Sequence, residues 1–180
     1  MGSNVLDTAL ADELQSMALE EQEARAELVR RGVLDQAHPL RAMHLRHADR
    51  LREVLDDIGW PGLSAVGGEG AQAAWLLAQE CAAVDLQLAE RCVDLLGAAV
   101  QAGDAPPRHL AILTDEVRWQ EGRPQVYGSM HVVDHRTQTV VPWPIEDPDG
   151  VDERRAAVGL PELAAHTRSL QERHRTERGL

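Results

Sequence analysis

At 180 residues, with 43% apolar and 27% charged side chains, the chain has the make-up of an ordinary soluble globular protein and enough length for one domain with a single core. Its formal charge of -12 excludes the basic surface that phosphate neutralisation needs, so neither nucleic acid nor an anionic membrane is expected as a partner. No stretch approaches the roughly 18 apolar residues of a membrane span, and the N-terminus lacks a basic-then-apolar leader pattern; a cytoplasmic protein is expected.

Phenylalanine is absent and every basic residue is arginine. Ala and Leu must therefore build the core, and the arginine bias is that of a GC-rich bacterial genome. Cys81 and Cys92 lie eleven residues apart among apolar neighbours and read as free buried thiols, although spacing alone does not exclude a bridge.

In chain order, Leu6, Leu10, Leu14, Met17 and Leu28 form a helical stripe over residues 6–31, ended by Gly32. Glu21 falls on that stripe. A carboxylate at an inward position needs a partner, and Arg25, one turn on, is the nearest by spacing. A second helix is predicted from near Pro39 to Ile58, with Leu40, Met43, Leu51, Val54, Leu55 and Ile58 inward. His44 and His47 share that face, three residues apart, which lets their ring nitrogens meet.

The glycine-rich run 59–70 is predicted to be a connection. It lacks the Gly-Lys-Ser/Thr of a phosphate loop and the preceding strand of a dinucleotide fingerprint, so its glycines are assigned to tight turning and close helix approach. Helices follow at 71–82, at about 84–102, and from Pro106-Pro107 to about Gln120, the last with Leu110, Leu113, Val117 and Trp119 inward. Gln79 and Glu80 interrupt the apolar end of the first of these.

Strand chemistry appears only after Gly122. Gln125-Val-Tyr127, His131-Val-Val133 and Thr139-Val-Val141 predict a β-hairpin over about 124–142, with a turn at 134–137 and a bend at Gly128. Short helices are expected at Asp152–Val158 and from Pro161 to about Gln171, then a frayed, charged end. The predicted fold is thus mainly α: a single-domain antiparallel helical bundle over 1–180, carrying a small β-hairpin near its C-terminal third.

Several motifs recur together: Met43-His-x-x-x-Ala-x-Arg-Leu, Gly59-Trp-Pro-Gly, Ala74-Trp-Leu-Leu-x-Gln, Asp115, Gly122-Arg-Pro-Gln-x-Tyr-Gly-Ser and Pro144-Ile-Glu-Asp-Pro. With them the chain resembles a bacterial family catalogued only as a domain of unknown function. The resemblance implies a mostly helical domain with Gln-x-Tyr-Gly-Ser/Thr as its hallmark, and no established activity. It also implies departures, the family having Asn at the place of His47, His at that of Glu80 and Gln at that of Met130.

Polar groups on apolar helix faces suggest acid/base chemistry on a small-molecule substrate. His44 and His47 are the expected acid/base groups, oriented by Glu21, with Tyr127 beside them; Gln125, Arg25, Arg50, Gln79, Glu80 and Trp143 are expected to bind substrate. The expected site lies between the first helices and the hairpin, and would serve proton transfer, cyclisation, isomerisation or hydrolysis equally well. No cofactor or metal is expected. Zinc or iron is the secondary alternative, from Glu21, His44, His47 and Glu80, although the paired Glu-x-x-His pattern of di-iron bundles is missing. Nucleophilic chemistry is weaker, since Ser129 has no Gly-x-Ser-x-Gly elbow and Cys81 no electropositive setting. The competing class is a non-enzymatic binding module that uses Trp143 and Tyr127 as anchors for a partner. Oligomeric state is not readable.

Overall fold

The structure, a computed structural model, describes residues 6–31, 40–134 and 136–177. Gly32 and Pro39, read as the end of one helix and the start of the next, lie outside them. The described residues form seven helices and a two-stranded antiparallel sheet, so the chain is mainly α as expected. Its contacts cluster into two compact units, Met1–Ala105 and Pro106–Leu180. No helix among the described residues is long and apolar enough to cross a membrane.

The first unit holds α1 (Thr8–Arg31), α2 (Arg41–Ile58), α3 (Leu63–Ala82) and α4 (Leu86–Gln101). Helix α3 is its hub and packs against α1, α2 and α4. Composition explains why: Gly70, Ala71, Ala73, Ala74 and Ala78 make much of the buried surface of α3 small, so backbones approach closely. A Cβ on Gly70 would stand 3.1 Å from Ala11 Cβ of α1. The buried stripe of α1 is accordingly Ala11, Leu14, Ala18 and Glu21. It is rotated away from the predicted leucine stripe, and Leu6 is left exposed.

The glycine-rich run is not the simple connection its composition suggests. Only Gly59-Trp-Pro-Gly62 turns the chain, and residues from Leu63 onward are helical, with a kink where Gly67 takes φ 71°. Gly62 is required by a close approach, because a Cβ there would overlap Asp104. Asp104 satisfies the start of α3: its Oδ1 accepts the Ser64 amide at 2.7 Å, and its carbonyl accepts that of Leu63 at 2.9 Å. Asp85 caps α4 by accepting the Leu88 amide at 3.0 Å. Cys81 and Cys92 are free and buried, and burial pushes both thiols up, Cys92 to about 12.

The second unit comprises α5 (Pro107–Gln120), β1 (His131–Asp134), β2 (Thr139–Pro142), α6 (Val151–Ala157) and α7 (Leu163–Glu177). The hairpin pairs His131 with Pro142 and Val133 with Val140, and β2 packs on α7. Gln125-Val-Tyr127 is not a strand; Gln125 makes an isolated bridge with Ile145. Trp119, predicted inward, is 38% exposed. Helix α7 runs to Glu177, beyond the expected end near Gln171.

Candidate functional site

In the first unit, helix periodicity sets Glu21, His44 and Glu80 on faces of α1, α2 and α3 that meet. His44 and Glu21 are both buried, and His44 Nε2 lies 2.8 Å from Glu21 Oε2. A charged carboxylate can only accept, so Nε2 carries the proton. Arg25 donates to Glu21 Oε1 from Nε at 3.1 Å and from Nη2 at 2.8 Å, the pairing its spacing predicts, and Nη2 reaches Glu80 Oε2 at 2.8 Å. Glu80 Oε2 is 3.7 Å from His44 Nε2. Four polar groups from three helices thus share one small volume.

The two carboxyls respond in opposite directions. For Glu21, burial disfavours the charge, but His44 and Arg25 together outweigh it and hold the carboxyl below its usual range. For Glu80, burial dominates over Arg25, the charge of Glu21 adds to it, and the carboxyl is raised. Beside them opens a cavity of about 180 Å³. Ala18, Leu76 and Leu77 form its apolar wall, and Glu21, Gln22, Arg25 and Glu80 its polar one. His44 is not one of its walls. A second, larger groove between α1 and α3, about 610 Å³, shares Ala18, Gln22 and Leu76 with it.

The other residues expected at this site go elsewhere. His47 turns to Glu20, with Nε2 3.1 Å from Glu20 Oε2, because Glu20 and Glu21 diverge by about 100° around α1. The Nδ1 atom of His47 has no partner among the described residues. Arg50 forks onto Glu13 at 2.6 and 2.9 Å. Glu13 is eight residues before Glu21, about 12 Å along the helix, so Arg50 is not part of the cluster. Gln79 is half-buried on α3 and does not line the cavity.

Gln125, Tyr127 and Trp143 belong to the second unit, where the hallmark Gln-Val-Tyr-Gly-Ser folds as a locked loop. Gln125 is fully buried, and its side-chain amide is committed to backbone: Nε2 donates to Met130 O at 2.9 Å and Trp143 O at 2.7 Å, and Oε1 accepts the Met130 amide at 2.8 Å. Both of its amide protons are thereby committed to backbone, so it has no donor left for a substrate. Trp143 is half-buried and its indole donates to Arg123 O at 3.2 Å. Tyr127 is half-buried, held through its backbone.

Two residues with no role assigned from sequence organise this loop. Asp115, fully buried on α5, accepts the amides of Val126 at 2.7 Å, Tyr127 at 3.0 Å and Ser129 at 2.9 Å, and the Ser129 hydroxyl at 2.9 Å. Arg155, 1% exposed, donates to the carbonyls of Tyr127 at 2.7 Å and Gly128 at 3.2 Å. The loop's donors therefore converge on an anion and its acceptors on a cation. The signal was an Asp inside the apolar pattern of α5, followed by a short polar run rich in amides. Ser129 is thereby committed to Asp115. His131 Nε2 lies 2.9 Å from Thr167 Oγ1, and its ring stacks edge-on against His166 at 5.2 Å.

No curated protein and no solved structure matches the chain. Residues 8–176 match the Family of unknown function (DUF6624), a span that takes in the α1–α3 cluster and the locked loop alike, and the chain belongs to that family.

Proposed function

We propose that the first unit binds a small polar molecule in the cavity beside Glu80 and moves a proton to or from it. The observation that carries this reading is geometric: one buried imidazole lies 2.8 Å from Glu21 and 3.7 Å from Glu80, a carboxyl that lines a cavity, with partners lowering the first acid and burial raising the second. Divergent environments for two neighbouring acids are how one site holds a proton donor and a fixed charge at the same pH.

In this mechanism Glu80, which lines the cavity, is the group that exchanges the proton with the ligand. His44 Nε2 lies 3.7 Å from it and donates its own proton in the 2.8 Å hydrogen bond to Glu21, whose carboxylate orients the ring. Arg25 anchors the ligand's electron-rich atom while it balances the carboxylates. The apolar wall of Ala18, Leu76 and Leu77 limits water at the reacting atoms. His47, Arg50 and Gln125 have no part in it, being bonded elsewhere.

A thermal-shift screen of small polar metabolites against the wild type, Glu80→Gln and His44→Ala tests the reading. Ligands that stabilise the wild type are then assayed for turnover, which is expected to fall by about 10²–10⁴ in Glu80→Gln. Ligands that bind and turn over equally well in both variants would remove the site.

A further inference from the structure

We propose that Glu21, His44 and Glu80 also form a reversible site for one divalent transition-metal ion of the zinc class, with Arg25 as the resident cation that the metal displaces. One donor atom from each of the three residues lies within 4.8 Å of the others, and they come from three helices of one packed unit, so the set is held by the core. The ligand types, one imidazole and two carboxylates, are those of zinc.

A tetrahedral zinc ion with bonds of about 2.1 Å holds neighbouring donors about 3.4 Å apart. His44 Nε2 and Glu80 Oε2, at 3.7 Å, are within about 0.3 Å of that spacing. His44 Nε2 and Glu21 Oε2, at 2.8 Å, must open by roughly half an ångström, as a hydrogen bond gives way to two metal bonds. The ring shifts its proton from Nε2 to Nδ1 to free the lone pair. Three protein ligands leave the fourth position open, and the cavity of about 180 Å³ lies on the side of Glu21 and Glu80.

Arg25 occupies the position of the cation in this structure. Its guanidinium bridges the two carboxylates at 2.8 Å each, so the site already holds a positive charge where the donors converge. The Arg25 side chain is 49% exposed, so water takes up its charge when the metal displaces it. A divalent ion balances two carboxylates fully, where Arg25 leaves one negative charge. Magnesium, which demands octahedral oxygen ligands, does not fit the set. His47 is not a fourth ligand, since its Nε2 is bonded to Glu20.

Metal at His44 Nε2 and Glu80 blocks the proton path described above, so zinc is expected to inhibit. That consequence rests on the proton-transfer reading, whereas the binding does not. The test is calorimetric titration of chelator-stripped, untagged protein with Zn²⁺, with metal content read after desalting. One ion per chain is expected. His44→Ala should weaken it at least tenfold and Arg25→Met tighten it about tenfold, while His131→Ala leaves the isotherm unchanged and Mg²⁺ gives no heat. In the wild type, imidazole ¹⁵N resonances report the ligand without any substitution, and Zn²⁺ should shift His44 Nε2. The proposal is overturned by a Zn²⁺ Kd weaker than about 100 µM in wild type and Arg25→Met alike, by an unchanged His44→Ala isotherm, or by shifts confined to other histidines. Turnover that persists with zinc bound would overturn the proton-transfer reading and leave the metal site standing.

Discussion

Glu21 and Glu80 face the same histidine, yet protein environment moves them apart, and the difference is measurable. Glu21 is held below its usual range, so the folded state gains from its charge above about pH 4.3 and loses that gain as pH falls through the folded value. Glu80 is raised; its contribution is favourable below about pH 4.3 and is lost as pH rises through the folded value. Glu21→Gln should therefore destabilise the protein at pH 7, and Glu80→Gln should stabilise it, with both differences shrinking toward acid pH. Denaturant midpoints measured across pH check this, and effects of the same sign at pH 7 would contradict the assignment. Asp115 is a different kind of buried acid, since it accepts four donors of one loop. Asp115→Ala orphans them and should cost at least about 3 kcal/mol by chemical denaturation, with Asp115→Asn nearer half of that.

Helix α3 shows how glycine content misleads at the level of an element. Its glycines read as a connection because glycine weakens helices by about 0.5–1 kcal/mol, but in this unit the close approach of α1 outweighs propensity. The substitutions Gly70→Ala and Gly68→Ala separate the two effects. A Cβ at Gly70 meets Val66 Cβ at 2.8 Å and Ala11 Cβ at 3.1 Å, while at Gly68 it meets nothing within 4 Å. Gly70→Ala should lower stability by about 1–3 kcal/mol through overpacking, and Gly68→Ala should raise it by about 0.5–1 kcal/mol. Equal effects in thermal melts would mean that α1–α3 packing does not set the choice. The same reasoning covers the α1 stripe, where Ala11 and Ala18 flank the buried Leu14 and let the helices come close.

For the molecule as a whole, acid sensitivity should begin near neutrality and not only in the carboxylate range. Burial lowers His109 to about 4, and it lowers His131 and His166 as well. An unfolded chain binds protons at these histidines from about pH 6.5 downward while the folded chain does not, so stability falls as pH drops through that window. For His109 the full effect is up to about 3 kcal/mol. His109→Gln should flatten the dependence of stability on pH between about 6.5 and 4, as followed by urea unfolding at fixed ionic strength; an unchanged slope would assign the loss to other groups. Glu13, Glu20 and Glu27, each lowered by arginine or histidine partners, act only below that range.

The sequence by itself determined most of the helices, the pairing of the two valine-rich strands, the inward Glu21 and His44, and the Glu21–Arg25 pair. Each of these depends on spacing within one element, where a period of 3.6 or 2 residues decides which side chains share a face. What it did not determine was which faces meet. Glu20, not Glu21, takes His47, and Glu13 takes Arg50. Gln125 and Asp115 turned out to be the fastenings of a loop, because whether a buried polar group serves a ligand or the backbone depends on which donors and acceptors the surrounding chain leaves unpaired. Only the packing of α1, α2 and α3 around small residues brought Glu80 to His44, since contacts between distant segments are set by the close fit of side chains that no single helix contains.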